Sequence, residues 1–304
     1  MTRLVAIGEC MIELAPTETA GLWRQGIAGD TLNTAWYARA SLPPDWNVDY
    51  VTRLGQDRFS DEILGFLTAN GIGNGHITRD ASRQPGLYAI SLSDAGERSF
   101  TYWRNQSAAR GLADDPAALT RALTGATVAF TSGITVAILP EAGRETLFDN
   151  LAKARKAGTG IAFDPNIRPR LWEDMDIARH WITRFASIAD IALPSFDDEA
   201  TTFGDTTPEV TRGRYRSVGV AEIVVKNAGR SIAWADGSAK GLATNLPTAE
   251  PVDTTGAGDS FNGAYLAARL LGHGVTQSIA AGHAMARRVI AHRGALIPTD
   301  AGDP

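Results

Sequence analysis

Short apolar runs, each long enough for one buried strand and separated by longer stretches of helical character, recur through this 304-residue chain. They are Leu4 to Ile7, Val128 to Thr131, Ile161 to Asp164, Ile188 to Leu193 and Ile223 to Lys226. A strand that is apolar at successive positions must be covered on both faces, and helical connections between such strands do this in a mainly parallel sheet. Helix candidates fill the gaps. In Glu141 to Lys156, Leu147, Leu151 and Ala154 mark one face, and Ile177 to Ala186 is a second candidate. Ala157-Gly158 supplies a stop after the first. With no repeat, low-complexity tract or linker to divide it, the sequence predicts a single α/β domain over residues 1–304.

One region breaks this rhythm. Leu87 to Leu92 and Ser99 to Arg104 alternate in polarity around Ser93 to Arg98, which predicts a β-hairpin. Tyr88, Ile90 and Leu92 then share a face, as do Phe100, Tyr102 and Arg104. A row of aromatics ending in an arginine suits a lid over a polar ligand. A plain surface hairpin with a solvated Arg104 is the alternative.

Composition narrows the function classes. With 44% hydrophobic and 21% charged residues the chain can bury a large core, and a net charge of −5 gives no global positive field for nucleic acid or an anionic membrane. Cys10 is the only cysteine, so an intrachain disulfide and a thiolate zinc cluster are both excluded, which fits a reducing compartment. The first residues do not read as a signal peptide, and no segment approaches the roughly 20 apolar residues of a membrane span. A cytoplasmic protein is expected, with Asn105-Gln106-Ser107 a chance sequon.

The densest chemical signal is Asp253-Thr254-Thr255-Gly256-Ala257-Gly258-Asp259-Ser260-Phe261-Asn262-Gly263, followed by the helix-forming stretch Ala264 to Leu271. A glycine-rich turn at a helix N-terminus presents unpaired N–H groups and the positive end of the helix dipole to a phosphate. A carboxylate there repels phosphate, so Asp259 makes chemical sense as the acceptor of a proton from an attacking hydroxyl. A helix cap over a tight turn is the competing reading. Neither a P-loop nor a dinucleotide fingerprint is present, which counts against a P-loop enzyme and a dehydrogenase.

The segment from Asp253 to Asp259 resembles the C-terminal signature of the ribokinase-like, or PfkB, carbohydrate kinases. Gly26 to Ala35 resembles that family's sugar-binding glycine turn and the asparagine on the following helix, with Ala28 in place of the usual first glycine. Two matches in order near the two ends extend the resemblance over essentially the whole chain. It implies a ribokinase-like α/β fold: a central, mainly parallel sheet flanked by helices, with a small β lid drawn from segments roughly 9–30 and 76–107. It also implies ATP and Mg²⁺ as cofactors, Asp259 as the base, the amides of Gly256, Ala257 and Gly258 as an anion hole, and sugar contacts from Gly29, Asp30 and Asn33. A homo-oligomer assembled through the lid is compatible with it.

Glu97 to Arg104 and Asp164 to Trp172 are similar to stretches of the family's 2-keto-3-deoxygluconate kinases. On that resemblance Tyr102, Arg104 and Arg168 contact the acid sugar and Asn166 belongs to the nucleotide side; Tyr88 on the hairpin either closes over the sugar or is ordinary lid packing. The arginine fork matches a carboxylate bidentately, although Arg168 could instead pair with Glu173 or Asp174. Lys226-Asn227-Ala228-Gly229 resembles the nucleotide-contacting turn, and His283 falls near the family's adenine position.

The family's N-x-x-E motif is altered here to Pro194-Ser195-Phe196-Asp197-Asp198-Glu199. One alignment pairs Ser195 with Asp198 and another selects Glu199; either leaves a carboxylate for magnesium held through water. The implied reaction is phosphorylation of 2-keto-3-deoxygluconate at its 6-hydroxyl. A kinase for fructose, ribose or a related keto sugar acid is the nearest rival, and a non-catalytic sugar- or nucleotide-binding protein on the same fold is the rival of a different class.

Overall fold

The computed structural model describes residues 2–19, 21–92 and 98–298. In chain order the strands are β1 Arg3–Ile7, β2 Met11–Pro16, β3 Trp23–Ala28, β4 Asn47–Val51, β5 Arg53–Leu54, β6 Thr78–Arg79, β7 Gly86–Leu92, β8 Arg98–Trp103, β9 Val128–Ser132, β10 Gly160–Asp164, β11 Ile191–Ala192, β12 Glu222–Val225, β13 Ile232–Asp236 and β14 Ala239–Ala243. Eight of them form one sheet in the order β14-β13-β12-β11-β10-β9-β1-β4. All pairs from β12 to β4 are parallel, and β13 and β14 extend the sheet in antiparallel fashion.

The apolar runs are continuous because both faces of this sheet are buried. Alternation within β1 shows it directly. Leu4 and Ala6 join one core with Phe130, Ala162, Leu32 and Tyr265, whereas Val5 and Ile7 join the other with Ala129, Phe163, Trp181 and Phe185. The predicted helix Glu141–Lys156 forms, with Leu147 and Leu151 fully buried. Its successor, Met175–Ala186, begins two residues earlier than expected because Asp174 caps it, accepting a hydrogen bond from the Ile177 amide at 2.8 Å.

The run from Ile188 to Leu193 contracts to a two-residue strand, Ile191–Ala192. Ile188 and Ala189 are still engaged in the turn that ends the preceding helix, with their amides on the Phe185 and Ala186 carbonyls.

A second sheet has the order β3-β2-β7-β8, with β2 and β7 parallel and the other pairs antiparallel. It contains the predicted hairpin, in which Tyr88 pairs with Tyr102 and Ile90 with Phe100; residues 93–97 lie outside the described residues. Its own core is small: Met11, Ala28, Tyr88 and Ile90. The expected second lid segment starts too early at 76, since β6 pairs with β5 in a separate two-stranded sheet.

Candidate active site

Functional side chains gather at the carboxyl ends of the parallel strands, where open α/β sheets form their ligand crevice. Glu9 follows β1, Asp164 ends β10, Ser195 follows β11 and Lys226 follows β12. Together with the lid sheet these residues line a cavity of about 850 Å³, a size suited to small-molecule ligands.

The helix Ala257–Leu270 points its N-terminus into this cavity's wall. Gly256 caps it in the left-handed region at φ 76°, and a Cβ there would meet the Ala295 carbonyl oxygen at 2.9 Å, so the turn requires glycine. Asp259 stands in the first helical turn. Its Oδ2 accepts a hydrogen bond from Asn33 Nδ2 at 2.8 Å, and its backbone carbonyl accepts one from the Thr34 hydroxyl at 3.3 Å. The helix Asp30–Ser41, which carries Asn33, begins after Gly29, where a Cβ would collide with the Glu9 carbonyl oxygen at 2.3 Å. Burial and the nearby Asp30 carboxylate push Asp259 up to about 7, against the opposing hydrogen bond from Asn33. Asp30 is likewise raised, chiefly by burial, and accepts from Asn166 Nδ2 at 2.9 Å.

Beside this pair lies a buried network that pattern reasoning did not assemble. Lys226 Nζ donates to Asp164 Oδ2 at 2.7 Å and to Asn262 Oδ1 at 3.0 Å, and Asn262 Nδ2 donates to the same Asp164 oxygen at 2.6 Å. Lys226 therefore contributes its side chain as well as its backbone turn. Its ammonium would lie 3.6 Å from a Cβ placed on Gly258, and it pulls the Asp259 carboxyl downward against burial and Asp30. Asp164 and Asn262 were both inside recognised segments, but only the tertiary fold brings residues 98 positions apart into contact.

Tyr88, Tyr102, Arg104 and Arg168 line the same cavity. Tyr102 is half exposed and stacks near both Phe100 and Tyr88, whose hydroxyl donates to buried Glu13. Arg104 is buried rather than solvated, and its guanidinium pairs with Glu9, which is 1% exposed. Glu9 had a usable signal in the sequence, as a carboxylate stopping an apolar strand at its carboxyl end. Arg168 pairs with Asp198 at 3.1 Å, not with Glu173 or Asp174. Glu173 is taken by Arg144, and Asp174 caps its helix.

Four expected residues do not reach the cavity wall, one of them being Asp198, the partner of Arg168. Glu199 is fully buried, with its two oxygens held by Arg214 and by the Tyr215 hydroxyl at 2.8 Å, so it ties two helices together and is removed from the metal candidates. His283 shares its Nε2 with the Pro247 carbonyl at 2.6 Å. Gly229 occupies the left-handed turn between β12 and β13 at φ 79°. Among the described residues no three His, Cys, Asp or Glu side chains converge into a metal cage. A Mg²⁺ ion carried by phosphate oxygens and water needs only one or two carboxylates, and of the two candidates here Asp164 lies in the cavity wall while Asp198 adjoins it only as the partner of Arg168.

A carboxylate in the first turn of a helix, lining a small-molecule cavity together with a small β sheet, suits a small-molecule kinase. Comparison with known proteins narrows that class: residues 1–301 match the model of the pfkB family carbohydrate kinases, and the chain belongs to that family. It is 39% identical over 302 residues to the 2-dehydro-3-deoxygluconokinase of Haemophilus influenzae, covering 98% of this chain and 96% of the relative. To the enzyme of the same name from Escherichia coli K12 it is 38% identical over 305 residues, covering 98% of both. Among solved structures, a PfkB protein from Polaromonas sp. JS666 superposes with a TM-score of 0.81 at 29% identity over 96% of each chain. The 2-dehydro-3-deoxygluconokinase of Thermotoga maritima shares the fold, with a TM-score of 0.85 at 21% identity over 98% of this chain and 96% of that one.

Proposed function

We propose that the protein transfers the γ-phosphoryl group of ATP to the 6-hydroxyl of 2-keto-3-deoxygluconate, giving the 6-phosphate and ADP. The observation that supports this reading is that one cavity is lined both by Asp259, in the first turn of a helix, and by Arg104 and Arg168. The full-length similarity to enzymes named for that sugar acid supports it.

On this reading the sugar lies between the lid and the helix that starts at Asp30, with Asp30 and Asn33 available to its hydroxyls and Tyr102 over its face. Asp259 takes the proton of the attacking hydroxyl as the new oxygen–phosphorus bond forms and the bond to ADP breaks. First-turn amides at Gly258 and Asp259, with the Lys226 ammonium nearby, stabilise charge on the transferring oxygens; the Ala257 amide already turns back to the Thr254 carbonyl at 3.2 Å. Mg²⁺, bound with ATP and held on the protein side by Asp164 or Asp198 through water, would neutralise charge on the phosphates. Covering of the cavity by the lid keeps water from competing as acceptor.

An ADP-release assay over 2-keto-3-deoxygluconate, related sugar acids, fructose and ribose tests the proposal. It predicts the highest kcat/KM for 2-keto-3-deoxygluconate. A neutral ketose preferred over every acid would replace it with a fructokinase- or ribokinase-type reading, and ATP binding without turnover of any sugar would favour a binding protein.

A further inference from the structure

Arg104 enters the cavity from the lid sheet, but its charge partner belongs to the body. Glu9 stands just past β1 in the central sheet, where the close pass of Gly29 over its carbonyl fixes its backbone. Its carboxylate reaches Arg104 over Gly86, the first residue of β7. A Cβ on Gly86 would meet Glu9 Oε1 at 2.8 Å and Arg104 Cβ at 3.2 Å, so only a residue without a side chain leaves room for the two to meet. Both line the cavity, Glu9 at 1% exposure and Arg104 at 7%.

The ion pair is one-sided. Arg104 Nη2 donates to Glu9 Oε2, whereas Arg104 Nε and Glu9 Oε1 are buried with no partner among the described residues. A two-bond fork would have engaged Oε1 as well, so Glu9 holds the guanidinium by one nitrogen and leaves Nε unused. Two effects follow from this grip. A buried guanidinium without a counter-ion carries a large desolvation cost, which Glu9 offsets. Arginine also has several rotatable bonds, and a guanidinium that is already held loses less freedom when a ligand arrives. The Tyr102 ring, with its centre 5.8 Å from the guanidinium carbon, bounds another side of the group.

We propose that Glu9 is a positioning residue of this site: through its bond to Nη2 it sets the Arg104 guanidinium, in advance of the ligand, in the orientation from which the remaining N–H donors take the substrate carboxylate. This assignment rests on the sugar-acid reading above, with Arg104 as a contact to the acid. Glu9 acts through Arg104, and because it is anchored in the central sheet the arginine keeps its place while the rest of the lid, with its small core, covers the ligand.

The test compares wild type, Glu9→Asp, Glu9→Gln, Arg104→Ala and the double variant Glu9→Asp/Arg104→Ala. Steady-state kinetics are run on 2-keto-3-deoxygluconate, on ATP and on 3-deoxyfructose, the neutral counterpart with a hydroxymethyl group in place of the carboxylate, with thermal melts alongside. Glu9→Asp keeps the charge, and with it the fold, but draws the acceptor back by one methylene. It should raise KM for the acid about fivefold or more, with smaller changes in kcat, in KM for ATP and in kcat/KM for the neutral sugar. Glu9→Gln keeps the reach and an acceptor for Nη2, so its KM for the acid should lie closer to wild type than that of Glu9→Asp. In the double variant kcat/KM for the acid should fall no further than in Arg104→Ala, since Glu9 has nothing left to position. A wild-type KM in Glu9→Asp would show the assignment to be wrong. Equal losses on both sugars, a Glu9→Gln variant worse than Glu9→Asp, or a further loss in the double variant would each overturn it as well. A wild type with equal kcat/KM on the two sugars instead sinks the sugar-acid reading itself, and this assignment with it.

Discussion

On the proposed mechanism, function at Asp259 opposes stability. Burial and the Asp30 charge disfavour its ionised form, yet the ionised form is what accepts a proton. Because its folded-state value is raised to about 7, kcat/KM should climb with pH through the neutral range and level off above it. Asp259→Asn retains an acceptor for Asn33, so the fold should persist while kcat falls by about a factor of 10² or more and the rising pH limb disappears. The stability sign is the reverse of activity. A carboxyl raised on folding ionises more readily in the unfolded chain, so its cost grows as pH rises from the ordinary carboxylate range toward the folded value. Asp259→Asn should therefore melt higher than wild type at pH 8, with the gap closing near pH 4. Wild-type turnover in that variant would remove Asp259 from the mechanism.

Glu199 makes the opposite case at the same scale. Sequence spacing left it a metal candidate, but its carboxylate is sealed against Arg214 and Tyr215. Glu199→Ala should cost about 3 kcal/mol of stability, by stranding its partners, without changing the Mg²⁺ dependence of turnover. A shifted Mg²⁺ requirement with an unchanged melting temperature would return it to the site. That Glu199 is sealed by a partner 15 residues away while Asp198 pairs with Arg168 depends on the tertiary fold and is not written locally.

Among the elements, the lid was legible as a hairpin because period-two alternation survives in a sheet with one poorly covered face. Its partners β2 and β3 carry weaker alternation and emerge as strands only through pairing. The two-residue β11 shows the converse, an apolar run that reads as a strand although half of it finishes a helix. With a core of four side chains, the lid sheet has little of its own to hold it down, except near Arg104, where the Glu9 pair pins it. Hydrogen exchange with and without 2-keto-3-deoxygluconate should show added protection in β7 and in β8 around Phe100 and Tyr102, and little change in β9. Tyr102→Ala should weaken that gain, since only contacts made in the covered state can drive covering. Equal protection of the lid without ligand would make it a fixed wall and withdraw its water-excluding role.

For the whole molecule, the parallel sheet was readable because burial on both faces forces continuous apolar runs, and the glycine turn opening the helix Ala257–Leu270 was readable because Gly256 and Asp259 are local. The charge pairing of the cavity was not, since Glu9–Arg104, Asp164–Lys226 and Arg168–Asp198 each join separate segments. Under the proposed function that pairing bears on how the sugar would lie, its carboxylate end toward the arginines and its 6-hydroxyl toward Asp259. The most direct measurement is phosphorus–proton NMR of the product formed from 2-keto-3-deoxygluconate, ATP and Mg²⁺. The account predicts stoichiometric ADP and a single phosphate ester coupled to the C6 methylene protons. Phosphate on another hydroxyl, or ADP and inorganic phosphate without a sugar ester, would contradict it.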